Sequence, residues 1–216
     1  MKLSIVDPKE AEDLVPRISE YANSQNKVSQ ADLFANHPFH ARMEKFSRRI
    51  LAPAQEGSLN QTKWFYERAR GQYGDAQACL TRGERKAFLA EYPKNQKFAK
   101  TDLAKYAMVW TDKVYFVNRG AQKNFAEFAK DIADAWAEND LQFNEHYYKT
   151  LIAQKIIWDA TEKIIPQMEW HEAGGYRAQH VVLTIGLIAE ATRQYKKKVD
   201  FERIWNAQSL DDSFRT

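Results

Sequence analysis

Residues 143–165, FNEHYYKTLIAQKIIWDATEKII, predict the longest helix of the chain. Their apolar side chains recur at helical spacing along two adjacent stripes, and Pro166 follows directly. Two neighbouring stripes indicate that a wide face of the helix is buried. At about 1.5 Å per residue the helix spans roughly 35 Å, so we expect it to be the spine of the fold.

Shorter helices are predicted on both sides of this spine. One opens at Asn36-His37-Pro38, and others are indicated by apolar spacing at residues 8–24, 83–91, 101–110, 125–136 and 176–195. Only residues 2–6 and 114–117 resemble short strands, besides the extended run described next. We therefore predict a mainly α, multi-helical fold with a few short β-strands in its N-terminal part. Residues 1–80 would form a mixed α/β part and residues 81–216 a helical part.

Residues 64–73, WFYERARGQY, interleave four aromatic side chains with Glu67, Arg68 and Arg70. In an extended run, successive side chains alternate between faces, so each face would carry both aromatic and charged groups. A purely structural strand would separate them, so we expect the charged groups to meet buried partners or a ligand. Aromatic rings beside arginines suit single-stranded nucleic acid. The strip Tyr66, Glu67, Arg68 and Arg70 is therefore a candidate nucleic-acid-binding element.

The charge of the chain is unevenly distributed. The net charge is +3, yet residues 82–130 carry 11 basic against 5 acidic side chains, whereas residues 131–216 carry 10 against 14. A basic middle suggests either an anionic partner or docking within the molecule.

The order of elements in this basic middle is compatible with a helix-turn-helix or winged-helix element at residues 84–125, whose second helix would enter a major groove. Basic side chains in this region are candidate phosphate contacts. They are Lys94, Lys97, Lys100, Lys105, Arg119 and Lys123.

Several protein classes are disfavoured. No apolar run reaches the roughly 18 residues of a membrane span, and the first residues lack the apolar stretch of a signal peptide. A single cysteine, Cys79, permits no internal disulfide. We therefore expect a cytoplasmic protein with no membrane association.

Catalytic patterns are incomplete. The Glu84-Arg85-Lys86 triplet with Asp75 upstream imitates metal-dependent nucleases, but that chemistry needs the triplet on a core strand, and here it opens a predicted helix. Cys79 lies in no nucleophile motif, and neither a Gly-x-Ser-x-Gly motif nor a phosphate-binding glycine loop occurs. No catalytic residue is assigned, and enzymatic activity is not predicted for this chain alone.

Histidines offer two metal-site candidates. His37 and His40 are three residues apart on a predicted helix but have no further ligands nearby. His171 and His180, with Glu169 and Glu172, flank a Gly-Gly pair but match no His-Glu-x-x-His motif. We predict no metal site and no cofactor.

Four segments in a fixed order carry a family resemblance. They are YANSQNKV at 21–28 followed by Asp32-Leu33, WFYERARGQY at 64–73, KTDLAKY at 100–106 and GAQKNF at 120–125. Together they resemble the AIPR family, the abortive infection phage resistance proteins of bacteria, over about residues 3–132. The resemblance implies a role in phage defence, often beside restriction-modification genes. Because family members are often longer, it also implies a C-terminal part or a short member.

Three functions are consistent with these observations. The leading prediction is a nucleic-acid-associated module of a phage-defence protein, with DNA or RNA as partner. The alternatives are a protein-interaction or scaffolding domain that binds other defence-system proteins, and a fragment of a nuclease whose catalytic region is absent. In the scaffolding alternative the aromatic side chains of residues 64–73 belong to the core, so the exposure of Tyr66, Arg68 and Arg70 discriminates between the readings.

Overall fold

A computed structural model describes residues 34–55, 57, 59–172, 175–195 and 199–210. The strand expected at residues 2–6, the helix expected at 8–24 and the YANSQNKV segment lie outside this part. The described elements are α1 (Pro38–Arg49), β1 (Phe65–Glu67), α2 (Gln72–Ala78), α3 (Arg82–Glu91), β2 (Lys97–Ala99), α4 (Lys100–Met108), α5 (Ala121–Glu138), α6 (Glu145–Ile164), α7 (Arg177–Tyr195) and α8 (Phe201–Ala207). Short 3-10 turns connect several of them. The prediction of a mainly α fold is confirmed.

Helix α6 is the spine that its sequence predicts. Asn144 caps it, since the Asn144 side chain accepts a hydrogen bond from the Tyr147 backbone N–H at 3.1 Å. Helices α1, α4, α7 and α8 all pack against it. Ile152 and Ile157 are fully buried on different sides of the helix, so its apolar surface is covered on a wide face.

The two strands form a parallel pair in which Phe65 lies opposite Lys97, Tyr66 opposite Phe98 and Glu67 opposite Ala99. Their middle residues enter the main core, where the Tyr66 and Phe98 ring centroids are 5.2 Å apart. This pairing joins residues from both sides of the predicted boundary at residue 80. The division into two parts stays a prediction.

A second, smaller apolar cluster covers the outer side of β1. Phe65 packs there against Tyr73 of α2 and against Phe88 and Tyr92, at the end of α3. The guanidinium of Arg48 lies 3.6 Å from the Phe65 ring centroid and closes this cluster on the side of α1. The aromatics of residues 64–73 therefore supply two cores, one on each face of the strand.

The strand predicted at residues 114–117 is wrong, because these residues belong to a 3-10 helix, Val114–Arg119. The short apolar run buries Val117 and packs between α5 and α7. A strand needs a neighbouring strand to satisfy its backbone groups, and helices surround this segment instead.

The predicted helix-turn-helix segment contains a strand between its helices. Strand β2 separates α3 from α4, and its Phe98 is buried in the main core. Helix α4 begins at Lys100, and Ala99 occupies its N-cap position. Groove insertion by this segment stays a prediction.

Candidate nucleic-acid interface

The parallel strand pair positions two of the predicted site residues, Arg68 and Lys100. Glu67 and Ala99 are opposite each other at the ends of β1 and β2, so the chain leaves both strands at the same edge. Arg68 follows β1 and Lys100 follows β2, as the first residue of α4. Parallel strands place their carboxyl ends together. The backbones of Arg68 and Lys100 therefore lie next to each other, although 31 positions separate them in the sequence.

Tyr66 lies inside the protein. Its side chain is fully buried, and its hydroxyl lies 2.5 Å from Nδ1 of His40 on α1. Burial raises the pKa of the Tyr66 hydroxyl, so it stays protonated. Burial, reinforced by the positive charges of Lys100, His37 and Arg68, lowers the pKa of His40 to about 3. The pair is a neutral core contact, and no face of the Tyr66 ring is open for a base to stack on.

Glu67 is buried and holds the following turn in place through a hydrogen bond. Its carboxylate accepts a hydrogen bond from the Tyr73 backbone N–H at 2.9 Å and lies 3.7 Å from Lys97 Nζ. The chain can turn back to it because Gly71 adopts a φ of 92°, which favours glycine. The charged partner of buried Glu67 is Lys97, whose own side chain is exposed.

Arg68 is half-buried and bound to α1. Its Nε donates to Glu44 at 3.0 Å, and its Nη1 lies 3.2 Å from the side-chain oxygen of Asn36. Glu44 also accepts a hydrogen bond from Gln72 at 3.0 Å. Arg68 therefore anchors the strand end to α1, and Glu44 also binds α2 through Gln72. Sequence reasoning missed Glu44, because nothing in its local sequence marks it as the partner of a residue in another element.

Three of the predicted lysines are engaged or covered. Lys97 contacts Glu67 as described, and Lys105 lies 3.3 Å from Asp102, one turn earlier on α4. Lys100 is 8% exposed. Lys100 therefore has little surface to offer to a phosphate. The side chains of Lys97 and Lys105 are 40% and 34% exposed, but each already has a carboxylate partner.

Four of the predicted cations remain exposed. The side chains of these four residues form no hydrogen bond and no ion pair with the rest of the described part. The four are Arg70, Lys94, Arg119 and Lys123. The guanidinium of Arg119 does lie 5.1 Å from the ring centroid of Tyr115, which is 51% exposed. An open aromatic–arginine pair therefore exists at residues 115 and 119, far in sequence from the strip at 66–70.

The start of α5 is also positively charged. Gly120 is its N-cap residue and provides no side-chain cap, and no acidic residue lies in the first turn. Arg119 and Lys123 flank this helix start. The N-terminus of a helix carries a partial positive charge, so cations placed there repel it unless an anion is bound.

Among the described residues, Glu84 has a structural role and the candidate metal ligands do not assemble into a cluster of three or more. Glu84 forms a capping box with Thr81 at the start of α3, and these hydrogen bonds lower the pKa of Glu84. His171 and His180 do meet, with their Nδ1 atoms 3.3 Å apart. Within the described ranges no group of three or more metal-binding side chains is found.

Comparison with known proteins places the chain in a family. The family model described as AIPR protein matches residues 1–216, so the match extends beyond the segments that carried the resemblance. No curated protein and no solved structure matches the chain. None of the helices in the described residues could span a membrane. The chain therefore belongs to the AIPR family and is related to the abortive-infection, phage-defence proteins.

Proposed function

We propose that this protein is a nucleic-acid-associated module of a bacterial phage-defence system. One observation carries the proposal: Arg70, Lys94, Arg119 and Lys123 are exposed cations without an ion-pair partner among the described residues. Phosphate groups of DNA or RNA are the anions that such side chains commonly bind. The family relationship supports the setting in phage defence.

The residues that we propose to contact nucleic acid differ from those predicted from the sequence, because several of the predicted residues are buried or bound to other side chains. Tyr66 and Glu67 are buried, and Arg68 is bound to Glu44, so these three residues hold the fold together in the proposal. Base stacking is assigned to Tyr115, whose exposed ring lies beside Arg119. The uncapped start of α5 would face the same phosphate as Arg119 and Lys123.

The test is binding of the full chain to a labelled single-stranded oligonucleotide and to a duplex over a series of salt concentrations. Substituting Arg119→Ala and Lys123→Ala together should weaken binding and reduce the slope of log K against log[salt] by about 0.7 per lost contact for single strands. Lys163→Ala is the matched control, since Lys163 is exposed near the end of α6. Absence of binding at low salt, or equal slopes for all proteins, would refute the proposal.

A second candidate function, protein interaction or scaffolding, is favoured by the outer face of α7. Leu183 and Leu187 are 58% and 69% exposed, one turn apart, while Val181 and Ile185 of the same helix are buried. A helix that is apolar on both sides suits a further packing partner, and an exposed i, i+4 pair suits another helix. Sedimentation velocity at increasing concentration tests association between copies. Leu187→Glu should abolish any association, and a chain that is monomeric throughout argues against self-association.

A further inference from the structure

The side chains of His171 and His180 meet where the turn that follows α6 passes the start of α7. Their Nδ1 atoms are 3.3 Å apart, and their ring planes are inclined at 80° to each other. Both histidines are half-buried, whereas Glu169, Trp170 and Glu172 beside them in the sequence are exposed. The two ring nitrogens therefore face each other at the surface of the protein.

The separation of these nitrogens matches that of two ligands of one tetrahedral metal ion. Zinc–imidazole bonds are about 2.0–2.1 Å long, so two nitrogens at a tetrahedral angle lie about 3.3–3.4 Å apart. In a square plane with the same bond lengths they would lie only about 2.9 Å apart. The alternative, a direct hydrogen bond between the rings, is long at 3.3 Å. The distance between His171 and His180 therefore suits tetrahedral coordination.

The backbone holds both histidines in position. The His171 N–H donates a hydrogen bond to the Met168 carbonyl at 3.0 Å, which fixes the turn after α6. His180 lies in the first part of α7, and the next residue, Val181, is fully buried in the main core. Ligands that are already in place lose little conformational freedom when an ion binds, so less of the binding free energy is spent on ordering them.

The type of ligand selects the type of ion. Imidazole nitrogen suits Zn²⁺, Cu²⁺ and Ni²⁺, whereas Mg²⁺ and Ca²⁺ prefer oxygen ligands. The exposed carboxylates of Glu169 and Glu172 flank His171 in the sequence and add negative charge to this segment. No cluster of three or more ligands is found in the described ranges, so water would fill the remaining positions. Such a site is open, unlike the closed four-ligand sites of structural zinc.

We propose that His171 and His180 together bind one Zn²⁺ ion through their Nδ1 atoms. Coordination requires both Nδ1 atoms to be unprotonated, so each neutral ring carries its proton on Nε2. The sequence predicted no metal site here, because the two histidines are nine positions apart and match no zinc motif. Their meeting depends on the fold, which brings the turn and the helix together.

The experiment titrates Zn²⁺ into the full chain, without an affinity tag, and follows binding by isothermal calorimetry. One Zn²⁺ per chain should bind saturably, and Mg²⁺ in the same titration should not bind. His171→Asn and His180→Asn each remove one ligand and should weaken Zn²⁺ binding by at least about tenfold. His146→Asn, at an exposed histidine of α6, is the matched control and should leave binding unchanged.

A second measurement uses proton–nitrogen NMR correlations of the histidine rings. Addition of Zn²⁺ should place both His171 and His180 in the form that carries its proton on Nε2, while the signals of His146 stay unchanged. Absence of saturable Zn²⁺ binding by the wild type would overturn the proposal, and so would equal binding by the wild type and both asparagine variants. Circular dichroism checks the fold of each variant, and the ring signals of the wild type decide the matter if a variant does not fold.

Discussion

The hydroxyl of Tyr66 lies 2.5 Å from Nδ1 of His40, and both side chains are completely buried. This contact joins the middle of β1 to the first half of α1. Tyr66, which the sequence predicts to contact nucleic acid, is therefore part of the core. Its burial explains why residues 64–73 mainly stabilise the fold.

Replacing Tyr66 by Phe should destabilise the protein. The change removes the hydroxyl and leaves His40 Nδ1 buried without its partner, which costs about 1–3 kcal/mol. Urea unfolding followed by circular dichroism measures the free energy of unfolding. Tyr176→Phe is the control, because Tyr176 is 74% exposed and its hydroxyl should contribute little. Equal stabilities of the two variants would contradict the assignment of this contact.

The low pKa of His40 predicts a pH-dependent stability. The ordinary pKa is 6.5, and the folded protein lowers it to about 3, chiefly through burial. Below pH 6.5 the unfolded chain therefore binds a proton that the folded chain does not bind. The stabilisation is fully present above this pH and declines as the pH falls towards 3. Lowering the pH from about 7.5 to about 5 should cost about 2 kcal/mol from this residue.

Unfolding at a series of pH values checks this expectation. His40→Gln preserves a side-chain oxygen that can accept from Tyr66 but does not titrate, so its stability should depend less on pH in this range. His146→Gln, at an exposed position of α6, is the matched control. Parallel pH profiles for wild type and His40→Gln would show that His40 is not the group responsible.

Two glycines close together in sequence should respond in opposite directions to the same substitution. Gly71 has a φ of 92°, whereas Gly74 lies within α2 with open space around its Cα. Gly71→Ala should cost about 1–2 kcal/mol, because a side chain disfavours that backbone conformation. Gly74→Ala should be neutral or stabilise by up to about 1 kcal/mol. Thermal unfolding compares the two, and destabilisation by Gly74→Ala alone would argue against the turn described for residues 67–73.

The spine helix should be sensitive at its buried positions. Ile152 is fully buried on α6, so Ile152→Ala removes apolar contacts and leaves a cavity, at a cost of about 2–5 kcal/mol. Leu141→Ala, at a side chain that is 74% exposed, should change the stability by less than about 0.5 kcal/mol. Chemical denaturation of both variants measures the contrast. A small effect at residue 152 would mean that α6 does not carry the core.

The sequence by itself determined the α-helical class of the fold, because periodic apolar residues, N-caps and prolines act within a few positions of one another. The central helix, the start of the helix at Pro38 and the family membership could all be predicted from such local patterns. The strand prediction for residues 114–117 was wrong, because strand formation depends on a neighbouring strand, which no local pattern reveals.

Only the tertiary structure decided which charged and aromatic residues are available to a partner. Arg68 and Arg70 are two positions apart, yet Arg68 is bound to Glu44 while Arg70 is exposed. That difference depends on α1, whose residues reach β1 only after the chain has folded. Burial depends on packing between segments that are distant in the sequence. The candidate cations could therefore be identified from the sequence, but which of them face the solvent could not.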